Sequence, residues 1–264
     1  MAIDKDTKII AFCNQKGGTG KTTTCLNVAS CLARANLRVL VIDADPQASL
    51  TLCAGKSDLG LMDLTTYEVM KGQDVADAVI DNVLSGFDLV PSDIRMCKAD
   101  LEFAGIPGRE FLLRDSLQYL KRDYDYILID CPPNLSVVTL NCLTFAKEII
   151  VPLQAQYLAV GGLGLLTDTI YMVQQRLNKD LKVFGVVLTM FDKRTNHSKQ
   201  IEKLAEQYFE GKIFDTKIRR SVKLAEASAE HKDILQYDSG SPVADDYIQL
   251  TVEILKRGGM IEEE

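Results

Sequence analysis

One decapeptide concentrates residues that can do chemistry: Asn14-Gln15-Lys16-Gly17-Gly18-Thr19-Gly20-Lys21-Thr22-Thr23. Glycines at that spacing let consecutive backbone N–H groups converge on a polyphosphate without Cβ obstruction. A helix starting inside the segment adds the partial positive charge of its N-terminus. Lys21 is placed to reach the β- and γ-phosphates of a nucleotide, and the Thr22 hydroxyl to ligate Mg2+. The general pattern G-x-x-x-x-G-K-[ST] asks for glycine where Gln15 stands, so the match departs by one residue. A second lysine, Lys16, sits inside the loop, where its charge lies close to any bound phosphate.

Two apolar runs end in acids. Val39–Ile42 leads into Asp43-Ala44-Asp45-Pro46-Gln47, and the proline stops the strand, leaving Asp45 on a loop able to respond to a γ-phosphate. Asp pairs at strand ends also serve as turn formers; beside the phosphate loop, the reading preferred is that they orient a nucleophilic water. Tyr126–Ile129 leads into Asp130 and then Cys131-Pro132-Pro133, the form of a Walker B strand whose acid holds Mg2+ through water. Phosphoryl transfer asks a protein mainly for positioning and charge neutralisation, which two lysines, a threonine and these acids supply without a covalent nucleophile. The only histidines, His197 and His231, give no base for a Ser/His/Asp or Cys/His arrangement and little ligand supply for zinc.

These groups need a scaffold that brings several strand ends together. Short apolar runs at Lys8–Cys13, Val39–Ile42, Tyr126–Ile129, Glu148–Val151 and Val183–Leu188 predict parallel strands covered on both faces. Helical spacing over Thr22–Ala35, Phe111–Lys121, Leu163–Leu177, Ser198–Phe209 and Val243–Lys256 supplies the cover. With 264 residues, 47% hydrophobic and 25% charged, and no repeat or proline-rich linker, residues 1–264 read as one doubly wound α/β domain. The stretch Gln47–Leu84 is the least periodic and is expected to be a mobile insertion on the ligand edge of the sheet. Seven cysteines without a C-x-x-C pair read as free thiols. The polar N-terminal residues and the lack of a long apolar stretch predict a cytoplasmic address.

A net charge of −7 argues against a protein that coats nucleic acid over its whole surface. Between Lys193 and Lys223, however, nine Lys/Arg face four Asp/Glu, a local +5 that leaves −12 on the remainder. Such a segment is either a solvated helix face or a set of phosphate contacts that hold at modest salt.

The run Lys16-Gly-Gly-Thr-Gly-Lys-Thr-Thr23 resembles the deviant Walker A motif of the ParA/MinD family of ATPases, and Asp43-Ala-Asp-Pro-Gln47 resembles the family's first switch. The resemblance implies a P-loop NTPase-like fold that hydrolyses ATP with Mg2+. Lys16, Gly17, Gly18, Thr19, Gly20, Lys21, Thr22 and Thr23 would hold the nucleotide, with Lys16 crossing to a partner subunit so that ATP joins a sandwich homodimer. Asp45 would position the attacking water, making Lys16, Lys21 and Asp45 the catalytic set, while Thr22, Asp43 and Asp130 serve the metal. Thr189–Asn196 and Lys217–Ala227 resemble segments of the DNA-partitioning branch, implying that Arg194 and Lys223, with Arg220 nearby, bind DNA without sequence preference. A ParB-like, centromere-bound partner would then trigger hydrolysis, and the ATP-bound form would associate with the nucleoid.

The sequence also departs from the family. Thr19 replaces a common valine, Arg219 and Ser228 replace prolines, Gln156 replaces a glutamate, and Gly161-Gly162 stands where Glu-Gly is frequent. Cys131 directly adjoins Asp130, unlike the cluster-binding cysteine of the related nitrogenase iron protein. The C-terminal residues, with Gly258-Gly259 and Glu262-Glu263-Glu264, lack the basic amphipathic helix of the membrane-binding MinD branch, so no membrane partner is expected. Two rivals use the same fold: a positioning switch for a protein cargo without DNA, and an ATP-dependent biosynthetic enzyme such as an amidoligase or carboxylase.

Overall fold

A computed structural model describes residues 6–56, 63–118, 120, 122–155 and 160–262; Gln156 and Lys121 lie outside them. The strands are β1 (Lys8–Phe12), β2 (Val39–Asp43), β3 (Ile80–Val83), β4 (Phe87–Val90), β5 (Tyr126–Asp130), β6 (Glu148–Gln154) and β7 (Lys182–Thr189). Among the described residues they form one sheet in the order β3-β4-β2-β5-β1-β6-β7. Every pairing is parallel except that of β3 with β4. All five strands expected from the apolar runs are present. The doubly wound α/β reading stands.

The helices are α1 (Lys21–Arg34), α2 (Ser49–Cys53), α3 (Thr66–Met70), α4 (Val75–Ala78), α5 (Ala99–Glu102) and α6 (Leu112–Leu117), then α7 (Val137–Phe145), α8 (Val160–Arg176), α9 (Asn196–Tyr208), α10 (Lys223–Ala229), α11 (Ile234–Asp238) and α12 (Pro242–Arg257). Alternation along each strand sends side chains to opposite faces, so β1 divides its residues between two cores. Ile9 and Ala11 pack with Leu143 of α7 and Leu166 of α8, whereas Ile10 and Phe12 pack with Leu32 of α1 and Leu250 of α12. Burying a side chain such as Phe12 contributes about 1.5–3 kcal/mol. The crossovers leave β1 and β5 in opposite directions, one over each face, which opens a crevice at their carboxyl ends.

The expectation of a mobile insertion over Gln47–Leu84 is corrected. Its described residues form α2, α3, α4 and β3, and Leu50, Tyr67, Val69 and Met70 are buried in the two cores. Short helices escape periodicity because a turn or two cannot display a 3.6-residue repeat. The expected helix from Phe111 is likewise shorter, with α6 ending at Leu117.

Beyond α9 the chain returns along the outer edge of β7. Val186 N–H donates to Lys212 O, Phe214 N–H to Val186 O, Ile218 N–H to Leu188 O and Phe191 N–H to Ile218 O, all at 2.9 Å. This pairing covers the sheet edge and carries Arg219 and Arg220 up to the loop that follows β7. Gly185 permits the approach: a Cβ there would lie 2.4 Å from the Phe214 ring.

Candidate nucleotide site and an adjoining basic groove

The phosphate loop closes the carboxyl end of β1. Gly18 and Gly20 take positive φ of 73° and 83°, conformations that other residues rarely adopt. A Cβ on Gly17 would meet nothing within 4 Å, so that stretch of backbone borders open space. The N-cap of α1 is Gly20 and makes no side-chain cap hydrogen bond, in contrast to α7, α9 and α12, which Ser136, Thr195 and Ser241 cap. Among the described residues, the first N–H groups of α1 therefore have no side-chain cap, as an anion site requires.

Neighbouring strands hold the loop. The Asn14 amide donates to Pro152 O at 2.8 Å while its Oδ1 accepts from Lys16 N–H, and the Thr189 hydroxyl donates to Thr19 O at 2.7 Å. Thr19 and Lys21 are both buried, and the Lys21 Nζ donates to Lys16 O at 3.4 Å. Lys16 is half-buried at the mouth of the loop. The bond from Thr189 was not foreseen; the hint was a threonine directly after the apolar run Val183–Leu188.

Parallel register brings two of the three acids together at the same edge, setting Asp43 and Phe12 both opposite Asp130, and Asp45 follows two residues beyond the end of β2. Asp43 is fully buried and accepts from Thr51 N–H at 2.9 Å and the Thr51 hydroxyl at 2.6 Å through one oxygen, and from Asp45 N–H at 3.1 Å through the other. Burial pushes its carboxyl up to about 6, against those hydrogen bonds and with help from the Asp45 charge. Thr51, on α2, had no sequence signal. Asp45 accepts from Gln47 N–H at 2.9 Å, and Ala48 follows in the left-handed region at φ 50°, an unfavourable conformation for alanine that fixes the tight turn.

Asp130 is fully buried, and among the described residues neither carboxylate oxygen has a partner at full hydrogen-bond geometry, although the Thr22 hydroxyl lies near it. Its carboxyl is held well above the usual range by burial first and by the charge of Asp43 next; Thr22 and Lys21 act the other way. An unpartnered buried carboxylate is costly and is ordinarily explained by a missing cation or water. Cys131 is buried beside it.

The predicted DNA-facing residues come together in a groove of about 810 Å3, where Lys193, Arg194, Lys217, Arg219, Arg220 and Lys223 line the walls. A second depression of about 380 Å3 runs from Gly20 and Thr23 of the phosphate loop to Ser228 and Tyr247. Residues 219–222 line both. Arg219, where the family favours proline, uses an N–H that proline lacks: it donates to Asp246 Oδ2 at 3.0 Å, and its guanidinium meets the same carboxylate at 2.6 and 2.7 Å. A separate cavity of about 660 Å3 near Met70, Glu102 and Asp115 holds none of the predicted residues. Among the described residues, no helix is long and apolar enough to cross a membrane.

Residues 7–183 match the family model AAA_31, described as an AAA domain. The chain is 40% identical over 254 residues to the sporulation initiation inhibitor protein Soj of Bacillus subtilis, covering 95% of this chain and 99% of that protein. It is 40% identical over 255 residues to the chromosome partitioning protein ParA of Myxococcus xanthus, covering 95% and 88%. Among solved structures, a cobyrinic acid a,c-diamide synthase from Mycobacterium smegmatis with bound ATP analog and magnesium superposes with a TM-score of 0.85 at 34% identity, covering 95% of this chain and 94% of that one. With its lysine-bearing phosphate loop and its three acids on one strand edge, the chain belongs to the ParA/MinD family of ATPases, in the Soj/ParA branch.

Proposed function

We propose that the chain works over residues 1–264 as a DNA-partitioning ATPase. ATP and Mg2+ close a homodimer, the dimer holds DNA without sequence preference and associates with the nucleoid, and a ParB-like partner stimulates hydrolysis and release. The observation that carries this reading is the placement of six cations in one groove whose wall, residues 219–222, also borders the phosphate loop. The kinship with Soj and the Myxococcus ParA supports it.

The residues fit a magnesium-bound triphosphate. Backbone N–H groups of Gly17 to Thr22 and the buried Lys21 ammonium would hold the phosphates, and the Thr22 hydroxyl, with Asp130 and Asp43 behind it, would hold the metal. Bound Mg2+ supplies charge neutralisation on the phosphate oxygens. The unpartnered carboxylate of Asp130 is the feature that a cation would satisfy. Asp45 stands on a turn braced by Gln47 and Ala48 and would orient the attacking water. Lys16, half-buried at the loop mouth, would reach the nucleotide of the second subunit.

Sedimentation with ATP, with ADP and with neither, each with and without DNA, tests the reading. Asp45→Ala is expected to lose turnover and keep ATP-dependent dimers that sediment with DNA. Wild-type turnover in Asp45→Ala, or a protein that stays monomeric with ATP and Mg2+, overturns it. A biosynthetic reading draws on the structural likeness to the diamide synthase; ATPase stimulation by a small metabolite rather than by DNA and a protein partner would favour it.

A further inference from the structure

Four of the six cations in the basic groove already hold a carboxylate of their own chain: Arg194 pairs with Asp192, Lys217 with Glu202, Arg219 with Asp246, and Lys223 with Asp238. Among the described residues, Lys193 and Arg220 have no ion-pair partner.

The four pairs differ in kind. Asp246 is 9% exposed and takes both the backbone and the guanidinium of Arg219, an arrangement that anchors the loop. Glu202 binds Lys217, whose side chain is only 23% exposed. The other two pairs lie open. Arg194 is 84% exposed and its guanidinium lies on Asp192, itself 35% exposed, with contacts of 2.9 and 3.0 Å. Lys223 and Asp238 are 42% and 34% exposed. In these pairs each carboxylate sits where a phosphate oxygen would bind, because Arg and Lys offer the same donors to both. An exposed pair gains little from its own attraction and opens readily.

We propose that Asp192 and Asp238 set the strength of nucleic-acid binding by occupying the phosphate-binding donors of Arg194 and Lys223 until a phosphate displaces them. This inference rests on the DNA-binding reading and deepens it. Binding then exchanges one anion for another at two of the groove's cations. Lys193 and Arg220, having no carboxylate to displace, make the first contacts. Asp192 also accepts from Arg194 N–H at 3.0 Å, which fixes the turn after β7, so the informative replacement keeps an acceptor and removes only the charge.

The test measures anisotropy of a labelled random-sequence duplex with the full chain, Mg2+ and a non-hydrolysable ATP analogue across a salt series. Asp192→Asn and Asp238→Asn are expected to bind about two- to fivefold more tightly than wild type at moderate salt. Asp115→Asn, on α6, makes the same change in net charge outside the groove and reports the general charge effect. Adding Arg194→Ala to Asp192→Asn is expected to abolish that variant's gain. Gains no larger than that of Asp115→Asn, or a gain that survives loss of Arg194, overturn the proposal while leaving the DNA-binding reading intact. A wild-type protein that binds the analogue but retains no duplex at low salt removes the DNA-binding reading, and this inference with it.

Discussion

The nucleotide edge and the basic groove handle charge in opposite ways. At the edge, Asp130 is fully buried close to Asp43, and among the described residues neither of its carboxylate oxygens has a partner at full hydrogen-bond geometry. In the groove, Arg194 and Lys223 stand in solvent and are each paired with an acid. The first arrangement is costly unless a cation matches it and so commits the site to one, because burial makes an unmatched charge expensive. The second is close to neutral energetically and therefore adjustable. One region is built for commitment and the other for exchange.

The largest expected effect comes from removing the buried charge. Asp130→Asn should lower Mg2+-dependent turnover roughly 10- to 100-fold, as loss of a group that orients a metal's water does. The same change should stabilise the nucleotide-free protein by about 1–3 kcal/mol, read from denaturant unfolding. A destabilised variant would break the contrast. The pH dependence carries the same sign. Asp43, raised from 3.8 to about 6, holds a proton in the native state where the unfolded chain has lost it. Stability without nucleotide should therefore fall as pH rises through about 6, with Asp130 adding in the same direction, and the melting profile of Asp130→Asn should be flatter.

In the groove, Arg194→Ala and Lys223→Ala should each reduce the slope of log affinity against log salt by about 0.9, with ATP turnover in the absence of DNA unchanged. A slope equal to that of wild type would remove these two residues from the phosphate contacts. The smallest effect belongs to the bond that joins the regions. Thr189→Val deletes the hydroxyl that holds Thr19 O and should cost about 1 kcal/mol in thermal unfolding, with ATP binding weakened a few-fold.

The phosphate loop, Asp43 and Asp130 were legible because each lies directly after an apolar run, with Asp45 two residues further on, and parallel register converts the strand ends into one edge. β3 and β4 were not. Each has only four residues, and β3 carries the exposed Asp81 and Asn82 on the antiparallel edge, so it presents no apolar run. The local +5 was also visible, but its neutralisation was not. Asp238 and Asp246 reach the groove from α11 and the first half of α12, and Glu202 from α9, contacts that depend on how the chain returns along β7. Thr51 was hidden for the same reason: its bond to Asp43 spans a turn that only the folded backbone defines.

The strip from Arg219 to Val222 is a single strand of chain that forms a wall of two depressions at once. A wall shared in this way passes a displacement on one side to the other. Engineering that enlarges the compartment beside Thr23 must therefore reshape the cationic channel as well, and a reporter placed on the exposed Val222 would register events in either one.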